Sequence, residues 1–151
     1  MMLFMKLVHL LSIVVWVGGM FFAYVILRPS AADILQPPER LRLWDKVFSR
    51  FFNWVWLAVF LILVSGSYMI YLFGGFTTLP LYINLMLLLG LVMTTIYGYV
   101  FFKCYAQFNR QVSKQEWPEA GATLGTIRKL VGLNLTIGLL TTAVAIIGRT
   151  M

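Results

Sequence analysis

Residues 3–27 read "LFMKLVHLLSIVVWVGGMFFAYVIL", and the reading of this stretch decides the fold. It is apolar throughout except for Lys6, His9 and Ser12, and it contains no acidic residue. About 20 mainly apolar residues in a helix suffice to cross a hydrocarbon core of about 30 Å. The run is longer than the apolar core of a secretory signal, no charge stands at its very start, and no small-residue cleavage site precedes "RPSAAD". It is therefore expected to be a retained transmembrane helix. Three more segments have the same character, at residues 51–73, 81–102 and 130–147, again without an acidic residue. The whole chain is 61% hydrophobic and 11% charged, against roughly 25% charged in soluble domains. With 151 residues it has the length of one domain. The expected fold is all-α: a single-domain integral membrane four-helix bundle.

Basic residues set the expected orientation. Arg28, Arg40, Arg42, Lys46 and Arg50 lie between the first two spans, and Lys103, Arg110, Lys114, Arg128 and Lys129 between the last two. The middle connection, "GGFTTLP", has none. The positive-inside rule makes the basic side cytoplasmic, so both termini face outward, into the periplasm of a bacterial inner membrane. The net charge of +7 then reflects orientation and attraction to anionic headgroups. It is spread over two connections without a nucleic-acid motif, so nucleic acid is not an expected partner.

The connections have patterns of their own. Pro29 is expected to stop the first helix, because proline disfavours helical geometry in the residue before it, and Pro37 and Pro38 mark a second break. From Glu39 onward Leu43, Trp44, Val47, Phe48 and Phe51 share one face, which predicts a short amphipathic cytoplasmic helix running into the second span. Trp54, Trp56 and Trp117 suit the aromatic belt at a membrane surface. Trp117 and Pro118, followed by Glu119, resemble a helix start. No Gly-rich phosphate cradle, nucleophile elbow or carboxylate pair is present, so nothing in the sequence points to an enzyme. All five acidic residues stand in the two basic connections, which excludes a carboxylate proton relay inside the bilayer. The single Cys104 excludes an intramolecular disulfide or a multi-cysteine metal cluster.

Ionisable groups inside a span are costly and are functional candidates by default. Lys6 is within a turn of the outer surface and can snorkel to the headgroups. His9 is deeper. At helical spacing it shares a face with Ser12, Trp16, Gly19 and Met20, and Gly18 and Gly19 let another helix approach closely. The topology places His9, Asn84, Ser65, Ser67, Met69, Thr141 and Thr142 in the outer half, and this polar layer is the expected site. Three readings of His9 compete: a neutral imidazole bonded to a neighbouring helix, a haem or metal ligand, and a pH-responsive relay. Among the methionines, Met69 and Met86 offer soft thioether ligands for Cu(I).

Several of these stretches carry a family likeness: "VHLLSIVVWVGGMFFAYVILRPSAADILQPPERLRLWDKVFSRFFNWVW", "LVSGSYMI", "FGGFTTLPLYINLM" and "IRKLVGLNLTIGLL". Together they resemble small bacterial membrane proteins with a copper resistance protein D domain, over nearly the whole chain. The resemblance implies an inner-membrane bundle of copper homeostasis that passes copper inward, with His9 at the site; Trp16 on the face of His9, and Met69, Asn84 and Met86 in the outer half, are the further candidate site residues. It also implies histidines where this chain has Asn84 and Gly98; His9 matches the pattern and those two positions depart from it. A histidine-rich copper site is then beyond this subunit alone. The ligands are His9 with Met and Asn, or a second protomer supplies another His9, or the site is degenerate. A histidine followed by an aromatic residue and glycine on the first helix also resembles the membrane protoporphyrinogen oxidases that bind haem b. That likeness covers one helix and implies electron transfer or porphyrin oxidation with His9 as axial ligand. A third reading, without chemistry, is an accessory subunit of a larger membrane complex.

Overall fold

The computed structural model describes residues 1–150. Within them four long helices account for nearly all of the chain: α1 (Met2–Ile34), α2 (Pro37–Leu72), α3 (Leu81–Ser113) and α4 (Trp117–Thr150). All four are long and apolar enough to cross a membrane. The surface suits such a solvent. Leu3, Leu10, Val14, Phe60, Leu88, Leu140 and Ile146 are all exposed, an arrangement that water would penalise and lipid does not.

The helices outrun the expected spans. At about 1.5 Å per residue, helices of this length reach about 50 Å, well beyond a hydrocarbon core of about 30 Å. Most of the excess is at the basic end, where α1 continues to Ile34 and α3 to Ser113, and where the helical stretches expected from Glu39 and Trp117 are part of α2 and α4. The chain reverses there over Leu35–Gln36 and over Lys114–Glu116, so the basic ends form two tight hairpins, α1–α2 and α3–α4. The segment from Glu39 is the first part of the continuous helix α2.

Pro29 does not stop α1. The helix opens into a π turn over Phe22–Leu27 and then continues as α-helix through Pro29 to Ile34. A proline ring clashes with the carbonyl of the preceding turn and offers it no N–H; a wide turn just before it relieves both conflicts. The actual break is at Leu35 and Gln36, both extended, with Pro37 opening α2. Trp117 and Pro118 open α4 as the sequence suggests.

Two helix ends close by the same geometry and with different residues. After α2, Gly74 N–H donates to the Tyr71 carbonyl and Gly75 N–H to that of Ile70, both at 3.1 Å, with Gly74 at φ +96°. After α3, Gln115 N–H reaches the Val112 carbonyl and Glu116 N–H that of Gln111, with Gln115 at φ +59°. Both are Schellman closures, which glycine suits best. A side chain in left-handed geometry costs about 1 kcal/mol. Gln115→Gly is therefore expected to raise the unfolding free energy by up to about 1 kcal/mol, and Gly74→Ala to lower it by a similar amount. Unfolding in mild detergent checks both signs.

The bundle is organised in sequence-adjacent pairs: α1 packs most closely on α2, and α3 on α4. Between the pairs runs an aromatic seam. Tyr97 of α3 meets Phe52 at 5.6 Å and Trp56 at 5.0 Å on α2, and Trp16 of α1 at 6.0 Å. Its hydroxyl donates to the Phe52 carbonyl at 3.0 Å. Trp56 thus belongs to the interior seam rather than to a surface belt, whereas Trp54 is exposed. Toward the basic end the seam continues through Phe48, Tyr105 and Phe108, and Phe108 is fully buried. Polar ties hold the same end together. Asn109 Nδ2 donates to Asp45 Oδ1 at 2.9 Å, and Thr123 Oγ1 to Gln111 Oε1 at 2.7 Å.

Candidate functional site

His9 is carried on the inward face of α1. Ser12, Trp16 and Met20, at helical spacing from it, are all buried, and the ring of Phe51 occupies the space that a Cβ on Gly19 would need. The α1–α2 contact is therefore as close as the sequence suggests, and it positions the imidazole against α2. A Cβ on Gly66 would stand 3.4 Å from His9 Cε1; the glycine leaves the ring its place.

The partner of His9 is Ser65. Nδ1 lies 2.9 Å from Ser65 Oγ, and Ser65 is almost fully buried. Ser65 Oγ is also 2.6 Å from the Leu61 carbonyl and 3.2 Å from that of Ile62. A hydroxyl has one proton to give, and the carbonyls, which only accept, take it. With that proton given to a carbonyl, the Ser65 oxygen is an acceptor for His9, and the geometry suits the tautomer with the ring proton on Nδ1. Nε2 is left with its lone pair, as in a metal-ligating histidine whose other nitrogen donates to a fixed acceptor.

The other expected site residues are distributed as follows. Trp16 is buried two turns further along the face of His9, edge-on to Tyr97. Met69 is half-buried on α2, one turn beyond Ser65 on the same face. Met86 is half-buried and Asn84 exposed, both on α3, which belongs to the other helix pair. Asn84 Nδ2 donates to the Leu79 carbonyl at 3.3 Å, so its amide nitrogen serves the start of its own helix. The expected polar layer does not form a connected network. Thr141 and Thr142 return their hydroxyls to the carbonyls of Ile137 and Gly138, the usual fate of such groups inside a helix, and Ser67 is exposed.

The sequence puts Ser65 in the outer half but does not pair it with His9. Met5, half-buried one turn before His9, has no mark in the sequence that sets it apart from the other methionines. Antiparallel register was the available signal: once His9 and Ser65 are level, the residues one turn outward are Met5 on α1 and Met69 on α2. Among the described residues no group of three or more His, Cys, Asp or Glu side chains could hold a metal ion. Any metal chemistry here rests on one imidazole and thioether sulfurs, a donor set that suits soft Cu(I).

Fold and surface define a multi-pass membrane protein of the four-helix type. The copper resistance protein D family model matches residues 45–147, well over half of the chain, and the chain belongs to that family. Ser65 and the aromatic seam on α2 and α3 lie inside the matched range, whereas α1 with His9 precedes it. No curated protein shows a significant match, and no solved structure does.

Proposed function

We propose that this protein takes up Cu(I) at the outer end of the α1–α2 pair and serves copper import across the bacterial inner membrane. The observation that carries this reading is the 2.9 Å contact of His9 Nδ1 with a Ser65 oxygen that lies 2.6 Å from the Leu61 carbonyl; with the ring proton on Nδ1, Nε2 offers its lone pair to a soft cation. Met69 and Met5, one turn outward on the two helices, are the thioether donors in this reading, with copper as cargo rather than a resident group. A second copy of the chain is the source of any further imidazole. Both termini lie in the periplasm, and the hairpins that carry most of the Lys and Arg residues lie in the cytoplasm, where the first turns of α2 rest at the interface.

The test is a Cu(I) titration of the purified full chain against a competing chelator, combined with copper accumulation in cells with and without the gene. The expected results are saturable binding and lower accumulation in the deletion strain. No binding and unchanged accumulation would sink the proposal. An absorption spectrum runs alongside: a Soret band in the purified protein would assign Nε2 to haem instead.

A further inference from the structure

A groove of about 490 Å³ runs along the outside of the α1–α4 contact, away from His9. Its walls are apolar: Phe21 and Val25 on α1, and Leu133 and Leu139 on α4, all about half-exposed. Tyr24 lies against Gly132, where a Cβ would come within 2.9 Å of its ring. Tyr24 and Val25 belong to the π turn of α1, so this wall is built from the wide segment that also admits Pro29.

The charge at the mouth is one-sided. Lys129 lines the groove, and no carboxylate does. Arg28 stands over the Tyr24 ring at 5.2 Å, which brings a second cation to the same end. From Lys129 to Leu139 the groove follows α4 for about 15 Å at 1.5 Å per residue, half of a hydrocarbon core of about 30 Å. An apolar channel one leaflet long, headed by two cations, matches one acyl chain below an anionic headgroup.

We propose that the α1–α4 groove is a binding site for one anionic phospholipid, with its phosphate at Lys129 and Arg28 and an acyl chain along Leu133 and Leu139. This site is independent of copper. Attraction to anionic lipid is worth a few-fold in affinity per basic residue near a membrane surface, and a fixed groove adds selectivity to that attraction.

Native mass spectrometry of the detergent-solubilised full chain tests it, with phosphatidylglycerol and phosphatidylcholine of identical acyl chains as probes. One phosphatidylglycerol is expected to stay bound at detergent levels that strip phosphatidylcholine. Lys129→Gln is expected to weaken its retention about fivefold, while Lys103→Gln, on the exposed side of α3, leaves it unchanged. Thr136, on α4, also lines the groove, and Thr136→Trp is expected to fill the channel and displace the lipid. Equal retention of the two lipids by the natural protein overturns the proposal, whatever the variants do. So does retention that responds equally to Lys129→Gln and Lys103→Gln, or to neither.

Discussion

His9→Ala is expected to abolish Cu(I) binding, and Ser65→Ala to weaken it by about 10–100-fold, the range typical for removing the acceptor behind a metal-ligating histidine. The first substitution removes the only imidazole in the chain. The second keeps the imidazole and deletes the oxygen that holds its proton on Nδ1. Leu61 and Ile62 keep their helical hydrogen bonds, so Ser65→Ala leaves no orphaned carbonyl and is expected to fold. A single histidine makes the cause readable: nitrogen-15 NMR of the imidazole reports one tautomer in the natural protein and a mixture in Ser65→Ala. Equal affinities for the Ser65 variant and the natural protein would remove Ser65 from the site. Undiminished binding by His9→Ala would remove the site itself.

Phe108→Ala is expected to cost about 3–5 kcal/mol of unfolding free energy, the range for deleting a fully buried aromatic side chain. Phe108 has no exposed surface and packs edge-on against Phe48 at 5.9 Å. It lies beyond the apolar span that ends near residue 102, in the part of α3 that the length of the helix carries out of the hydrocarbon. Lipid tails are as apolar as leucine, so burial inside the bilayer gains little hydrophobic free energy. Burial in the projecting hairpins removes apolar surface from water and gains it in full. Leu140→Ala, at an exposed position facing lipid by this argument, is the contrast and should change stability little. Denaturant unfolding in mild detergent measures both. Similar losses for the two variants would mean that the basic ends are not the stabilised part of the molecule.

The sequence carried the spans and the inward face of α1 because both depend on local spacing. Ser12, Trp16 and Met20 recur at the helical period, and Pro37 and Trp117–Pro118 open helices by their own backbone chemistry. Pro29 misled because its clash was relieved by a π turn, for which Phe22–Leu27 has no compositional mark. The helical starts at Glu39 and at Trp117 were legible in the basic connections, whereas the continuation of α1 to Ile34 and of α3 to Ser113 was not, because a charge pattern gives orientation and a helix face but not where a helix ends. At the site, the face of His9 was legible and its partner was not. Ser65 is 56 positions away, and a neighbouring polar residue, Ser67, differs from it only by the direction in which its helix turns it. Asn84 looked level with His9 because depth in a membrane can be counted along a chain; which helix pair a residue joins cannot.

The pairing of α1 with α2 and of α3 with α4 also has a kinetic consequence. Each pair is closed by a link of two or three residues, so its first contacts form beside the turn and the rest can zip outward from it without a new large loop to close. The aromatic seam is different: Tyr97 on α3 meets Phe52 on α2, so it joins two pairs that have no turn between them to zip from. Assembly in the bilayer then follows the two-stage order of membrane helices, with each hairpin forming as a unit and the rings of Trp16, Phe52, Trp56 and Tyr97 closing last. The seam is therefore the natural place for an assembly defect: a substitution there would leave two intact hairpins that fail to dock.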